Sequence, residues 1–157
     1  MVVSCYTIEF IGVKTGIIFG AYSYTDVWIP AFRGVPIAIG FAWLGMLLSS
    51  FGLVQRLLSA ASPVWLRALV LAVLMTIFDI FMEPVAVKLS YWQWLDRTGH
   101  YFFVAHLQNY CVWFVISYVL GFGAMQNGLF VKPMPRVALH AYWAQLLYFS
   151  MVALGKS

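Results

Sequence analysis

From Val35 to Val54 the chain runs for 20 residues without a charge. That matches the roughly 20 apolar residues an α-helix needs to cross a bilayer, and the pattern recurs. Further apolar segments run from Tyr6 to Tyr24, Val64 to Val87, Tyr101 to Met125 and Val137 to Leu154. Charged residues are 9% of the 157 and hydrophobic residues 64%, where a soluble domain typically carries about 25% charge. So few charges cannot cover a water-facing surface, and lipid is the expected solvent. The sequence predicts an all-α fold, a polytopic transmembrane helical bundle of about five spans. Residues 1–157 form a single transmembrane helical domain, multi-pass, with membrane lipid as partner.

Punctuating residues separate the segments at Pro30–Pro36, Ser59–Pro63, Leu89–His100 and Asn127–Pro135. Ser62 reads as an N-cap with Pro63 at the first helical position. No internal repeat and no low-complexity tract is evident, and the first segment, carrying Glu9 and Lys14, does not read as an export signal. The net charge of +4 is scattered, so no nucleic-acid partner is expected. With five spans, Arg56, Arg67, Lys132 and Arg136 fall on one side, and Arg33, Lys88, Arg97 and Lys156 on the other, beside Asp26 and Asp96. That balance leans only slightly towards a cytoplasmic Arg56 side. Cys5 and Cys111 read as buried inert thiols rather than a disulfide or a metal pair.

Ionisable residues inside spans carry the most information, since each costs about 2.5–3.5 kcal/mol to insert at a helix centre. Glu9, Asp79 and Glu83 are three of only five acids. Asp79 and Glu83 are four residues apart, one turn along a single helix face. Two carboxyls that close in a low dielectric are not expected both to be ionised, and such a pair can present a proton donor in an apolar site. The plainer alternative is a structural pair bonded to neighbouring helices. Pro84 follows and disfavours helical geometry at Glu83. Gly12, Gly16 and Gly20 recur as GxxxGxxxG on the face of Glu9, which predicts close helix packing there. His106, Asn109, Trp113 and Ser117 share a third face, either as interhelical hydrogen bonds or, for Asn109, as part of a cavity with the carboxyls. Tyr91, Trp92 and Trp94 at a span end read as an interfacial belt, or as ring faces for a transient cation.

Several chemistries are excluded on residue types. His100, His106 and His140 are the only histidines and lack HxxxH or HExxH spacing, so no metal centre is expected. There is no glycine-rich loop for NAD or FAD and no GxSxG elbow. The expectation is a protein that needs no cofactor.

Two stretches carry a resemblance, EFIGVKTGIIFGAYSYTDVWIPAFRGVPIAI and FDIFMEPVAVKLSYWQWLDRTGHYFFVAHLQNYCVWFV. They resemble the two motifs of the carotenoid hydratase-like family of integral membrane proteins, which includes gamma-carotene and bisanhydrobacterioruberin hydratases. The second motif is an acid and Pro, then Tyr-Trp-x-Trp, then an Asn with a Trp four residues on. On it fall Asp79, Glu83, Tyr91, Trp92, Trp94, Asn109 and Trp113, with Glu9 on the first motif. The family tends to have proline where His106 stands. Its members are usually longer at the N-terminus, so the likeness implies an N-terminally short member.

The resemblance implies carotenoid biosynthesis by acid catalysis. Water adds across the C1–C2 double bond of a carotenoid ψ end group and gives a tertiary alcohol. In that scheme Asp79 or Glu83 donates a proton and its partner accepts one from water. Glu9 is a second acid/base, Asn109 holds the water, and Trp92, Trp94 and Trp113 face the cation. The carotenoid is then the substrate partner, with room for a homo-oligomer or for other carotenoid enzymes. Two alternatives stay open: a membrane carotenoid end-group cyclase, and a non-catalytic carotenoid-binding or helix-packing subunit.

Overall fold

The computed structural model describes residues 2–95, 100–129 and 132–155. In order the elements are α1 (Val2–Thr15), β1 (Tyr22–Tyr24), β2 (Ala31–Phe32), β3 (Val35–Pro36), α2 (Ala38–Leu57), α3 (Val64–Lys88), β4 (Trp92–Trp94), β5 (Tyr101–Phe102), β6 (Ala105–His106), α4 (Leu107–Gln126) and α5 (Arg136–Leu154). The protein is an all-α membrane bundle whose short strands gather at one end. Helices α2 to α5 are long and apolar enough to cross a membrane. The 14-residue α1 rises only about 21 Å, against a hydrocarbon core of about 30 Å. Five helices form, as the roughly five segments of the sequence led one to expect, and among the described residues four of them are long and apolar enough to span.

Helix α3 shows why the composition reads as it does. One face buries Ala68, Leu71, Ala72, Met75 and Phe78, while Trp65, Leu69, Val73, Ile77 and Phe81 form an exposed stripe at intervals of four. A helix apolar on every side is a membrane helix. The helix runs on through Pro84 without ending. Its N-cap position is Pro63, not Ser62, and no side chain caps it.

The expected glycine stripe does not form. Helix α1 stops at Thr15, and Gly16, at φ +63°, closes it by donating its N–H to the Gly12 carbonyl at 2.8 Å. This is the left-handed helix stop that glycine favours. Gly20 also has positive φ, and a Cβ there would lie 2.8 Å from the His106 ring. A Cβ on Gly12 would meet Phe19 at 2.6 Å, a side chain of the turn that follows, not another helix. The close helix approaches lie elsewhere. A Cβ on Gly40 would sit 3.0 Å from the Val2 carbonyl of α1, one on Gly52 2.8 Å from Ala138 of α5, and one on Gly121 2.4 Å from Leu71 of α3. Cys5 is buried as expected, but Cys111 is exposed on α4. The starts of two expected spans, Val35 and Tyr101, are hairpin strands and not helix. Asp96, Arg97 and Lys156, used in the charge comparison, lie outside the described residues.

An internal repeat, not expected from the sequence, organises the bundle. Strands β1, β2 and β3 recur as β4, β5 and β6, from 22 to 92, 31 to 101 and 35 to 105, a constant offset of 70 residues. The same offset joins the positive-φ positions Gly20 and Ser90, and Arg33 and Phe103. It also relates Glu9 to Asp79 and Trp43 to Trp113. The β1–β4 ladder is antiparallel, pairing Tyr22 with Trp94, Ser23 with Gln93 and Tyr24 with Trp92. Exchanging the two repeats leaves that register unchanged, as a two-fold axis between Ser23 and Gln93 requires. Both repeats place their strands at the same end, so the axis runs along the bundle, as in parallel membrane repeats.

Candidate active site

The ladder aims four aromatic side chains into the bundle. Alternate residues of a strand share a face, so Tyr22 and Tyr24 point the same way, as do Trp92 and Trp94, while Ser23 and Gln93 point oppositely. A Schellman turn sets the approach of β4: Tyr91 N–H bonds the Ala86 carbonyl at 2.8 Å and Ser90 N–H the Val87 carbonyl at 3.1 Å. Ring contacts then tie the strands together, at 5.5 Å for Tyr22–Trp94 and 5.9 Å for Tyr24–Trp92.

Each repeat holds one carboxyl under its aromatic pair. Glu9 Oε2 accepts from the hydroxyls of Tyr22 at 2.6 Å and Tyr24 at 3.0 Å, and Oε1 accepts from Trp43 Nε1 at 2.7 Å. Glu83 Oε2 accepts from Trp92 Nε1 at 3.1 Å and Trp94 Nε1 at 3.3 Å, and Oε1 from Asn109 Nδ2 at 3.2 Å. The same Asn109 nitrogen donates to Asp79 Oδ2 at 2.7 Å, bridging the acid pair. Asp79 Oδ1 has no partner among the described residues. The three carboxyls and Asn109 are all buried. Burial and the adjacent Glu9 hold the Tyr22 and Tyr24 hydroxyls above the usual phenol range, so they act as donors.

These groups surround a cavity of about 160 Å³, near the size of the roughly 150 Å³ apolar cavities that admit benzene. Glu9, Glu83 and Asn109 line it, with Tyr91, Trp92, Trp94 and Trp113 among the aromatic walls. Asp79 is not in the lining and reaches the site through Asn109. Trp43 and Trp113 stack at 3.8 Å. Tyr91 packs on Trp28 at 5.0 Å. Trp92 is buried in the ladder. His106 lies outside the cavity lining, against Trp94 and Tyr101. The arrangement offers carboxyls beside an apolar, aromatic space, which suits proton transfer to an apolar substrate.

Sequence reasoning missed Tyr22, Tyr24 and Trp43. The signal was present: Tyr-x-Tyr thirteen residues after Glu9 stands as Trp-x-Trp does after Asp79. It missed Gln145 too, a cavity-lining residue on α5. A family model described as carotenoid biosynthesis protein matches residues 1–155. No curated protein matches the chain, and no solved structure does.

Proposed function

Because this chain belongs to the carotenoid biosynthesis protein family, we propose that it is a carotenoid hydratase, a hydro-lyase acting on a ψ end group in the cell membrane. The observation that carries this reading is that Glu83 and Glu9 both border one aromatic cavity inside a membrane bundle. An acid in such a place meets an apolar alkene with little competing water.

The proposed reaction is redox-neutral and draws only on carboxyls and water, so it calls for no cofactor. Glu83, the cavity-lining member of the acid pair, passes its proton to C2, and the C1–C2 π electrons form the new C–H bond. The tertiary cation left at C1 sits among indole and phenol rings, and a cation against a ring face gains up to about 2 kcal/mol when desolvated. Water oxygen bonds to C1, and the oxonium returns a proton to the Glu83 carboxylate, so the acid pair ends as it began. Asp79 positions Glu83 through Asn109. Glu9 is the second acid/base of the cavity. Tyr91, Trp92, Trp94 and Trp113 hold the end group.

The test is expression in cells that make lycopene or gamma-carotene, followed by pigment chromatography. A hydroxylated end group is the expected product. A ring in its place marks a cyclase. Unchanged pigment marks a non-catalytic carotenoid-binding subunit.

A further inference from the structure

Hydration needs a group that holds water, and one candidate donor is already engaged. Asn109 Nδ2 is engaged by Asp79 and Glu83. A second amide borders the cavity. Gln145 lies within α5, and its Oε1 is buried with no hydrogen-bond partner among the described residues. A buried acceptor left unsatisfied is costly, and in a membrane helix a polar group facing the interior marks function by default. An internal water is held by two to four polar partners. Gln145 borders this cavity, as do the carboxyls of Glu83 and Glu9.

We propose that Gln145 is a positioning residue that accepts a hydrogen bond from the attacking water and turns its oxygen lone pair towards C1. The amide takes no proton; it fixes the water while the oxonium proton goes to the carboxylate. The role rests on the hydratase reading and deepens it. It separates two steps that share one cation, protonation by Glu83 and capture by water. A cation that is not captured loses a proton from C2 to the carboxylate and returns to the alkene.

The experiment uses purified full-length protein in detergent with lycopene or gamma-carotene in deuterium oxide. It measures alcohol formed and deuterium incorporated into recovered alkene. Gln145→Leu and Gln145→Met remove the acceptor at similar size, and Gln145→Glu keeps an acceptor oxygen. For Leu and Met, the ratio of alcohol to exchanged alkene should fall about tenfold, the scale of one hydrogen bond, while total protonation events stay level. Gln145→Glu should restore most of the ratio. An unchanged ratio in both Leu and Met variants overturns the proposal, as does equal loss of alcohol and exchange, which would mark Gln145 as structural. Wild-type protein that exchanges deuterium but forms no alcohol overturns the hydratase reading itself, and Gln145 with it.

Discussion

Trp43 and Trp113 stack face to face, with centroids 3.8 Å apart and planes 11° from parallel. They are counterparts in the repeat, separated by 70 positions. A residue that touches its own counterpart must lie beside the two-fold axis, so this stack and the Ser23–Gln93 pair of the ladder mark the axis at two depths. The two indoles do different work. Both line the cavity, but Trp43 Nε1 also donates to Glu9.

Replacing each tryptophan with phenylalanine should separate these roles. Either change weakens an aromatic pair worth about 0.5–1.5 kcal/mol. Trp43→Phe also strips one of three donors from buried Glu9, a further loss of about 1 kcal/mol or more. It should therefore lower the unfolding temperature in detergent more than Trp113→Phe does. Equal shifts would mean that the Trp43–Glu9 bond contributes nothing to stability.

Packing between helices predicts a different response at the glycines. In lipid there is little hydrophobic drive between helices, and close van der Waals fit takes its place. A leucine at Gly121 would push into Leu71, where even a Cβ has only 2.4 Å. Gly121→Leu should sharply reduce the yield of folded protein. Gly123 and Gly45, with nothing within 4 Å of a Cβ, should accept leucine. Yields measured by size-exclusion chromatography decide the point.

The membrane class and the helical bundle were legible because an all-apolar stretch of 20 residues has few other solutions. That Asp79 and Glu83 share a face was legible too, since helical spacing fixes which residues share a side, whereas it says nothing of which side of another helix, that of Asn109, lies against them. The repeat was not. At the offset of 70, Glu9 meets Asp79 and Tyr22 meets Trp92, and few positions keep the same residue. What recurs is backbone shape and donor chemistry, and neither appears as identity. Gly12, Gly16 and Gly20 misled for a related reason. A four-residue spacing implies a helix face only if the helix continues, and Gly16 is itself the residue that ends it. The two hairpins lay hidden inside apolar segments, where short strands and helix starts have the same composition.

A cross-link tests the ladder directly. Ser23 and Gln93 are directly opposed, and the Leu95–Ala21 and Thr25–Tyr91 bonds on either side place them at a hydrogen-bonded site, where Cα atoms are about 5.5 Å apart. A disulfide spans about 4.4–6.8 Å. Ser23→Cys with Gln93→Cys should oxidise to an intramolecular disulfide, seen as faster migration on a non-reducing gel. Both side chains point away from the cavity, so pigment chemistry should survive. A one-residue shift, Ser23→Cys with Gln93 kept and Trp94→Cys, should cross-link poorly. If the shifted pair links as well as the first, the register is wrong.

The three carboxyls should respond unequally to neutral isosteres, for reasons set by their partners. At Glu9 an amide nitrogen can face Tyr22 and Tyr24, whose hydroxyls rotate and accept, while the amide oxygen keeps Trp43. At Asp79 the nitrogen can take the Oδ1 position, where no donor opposes it among the described residues. At Glu83 there is no such place. Oε2 faces two indole N–H groups that can only donate, and Oε1 faces the Asn109 nitrogen that also serves Asp79. Glu83→Gln should therefore cost stability, by about 1–3 kcal/mol for a buried group left unmatched. Glu9→Gln and Asp79→Asn should fold almost as the parent does. Activity should follow another order. Glu83→Gln removes the proposed acid, and a positioned acid is worth typically 10²–10⁴-fold in rate. Asp79→Asn leaves the acid but loosens its bridge, so its loss should be smaller. Melting in detergent and alcohol formed per folded protein measure the two orders separately. If Asp79→Asn abolishes hydration and Glu83→Gln leaves it near the parent level, the proton comes from Asp79 and the cavity-lining carboxyl only positions it.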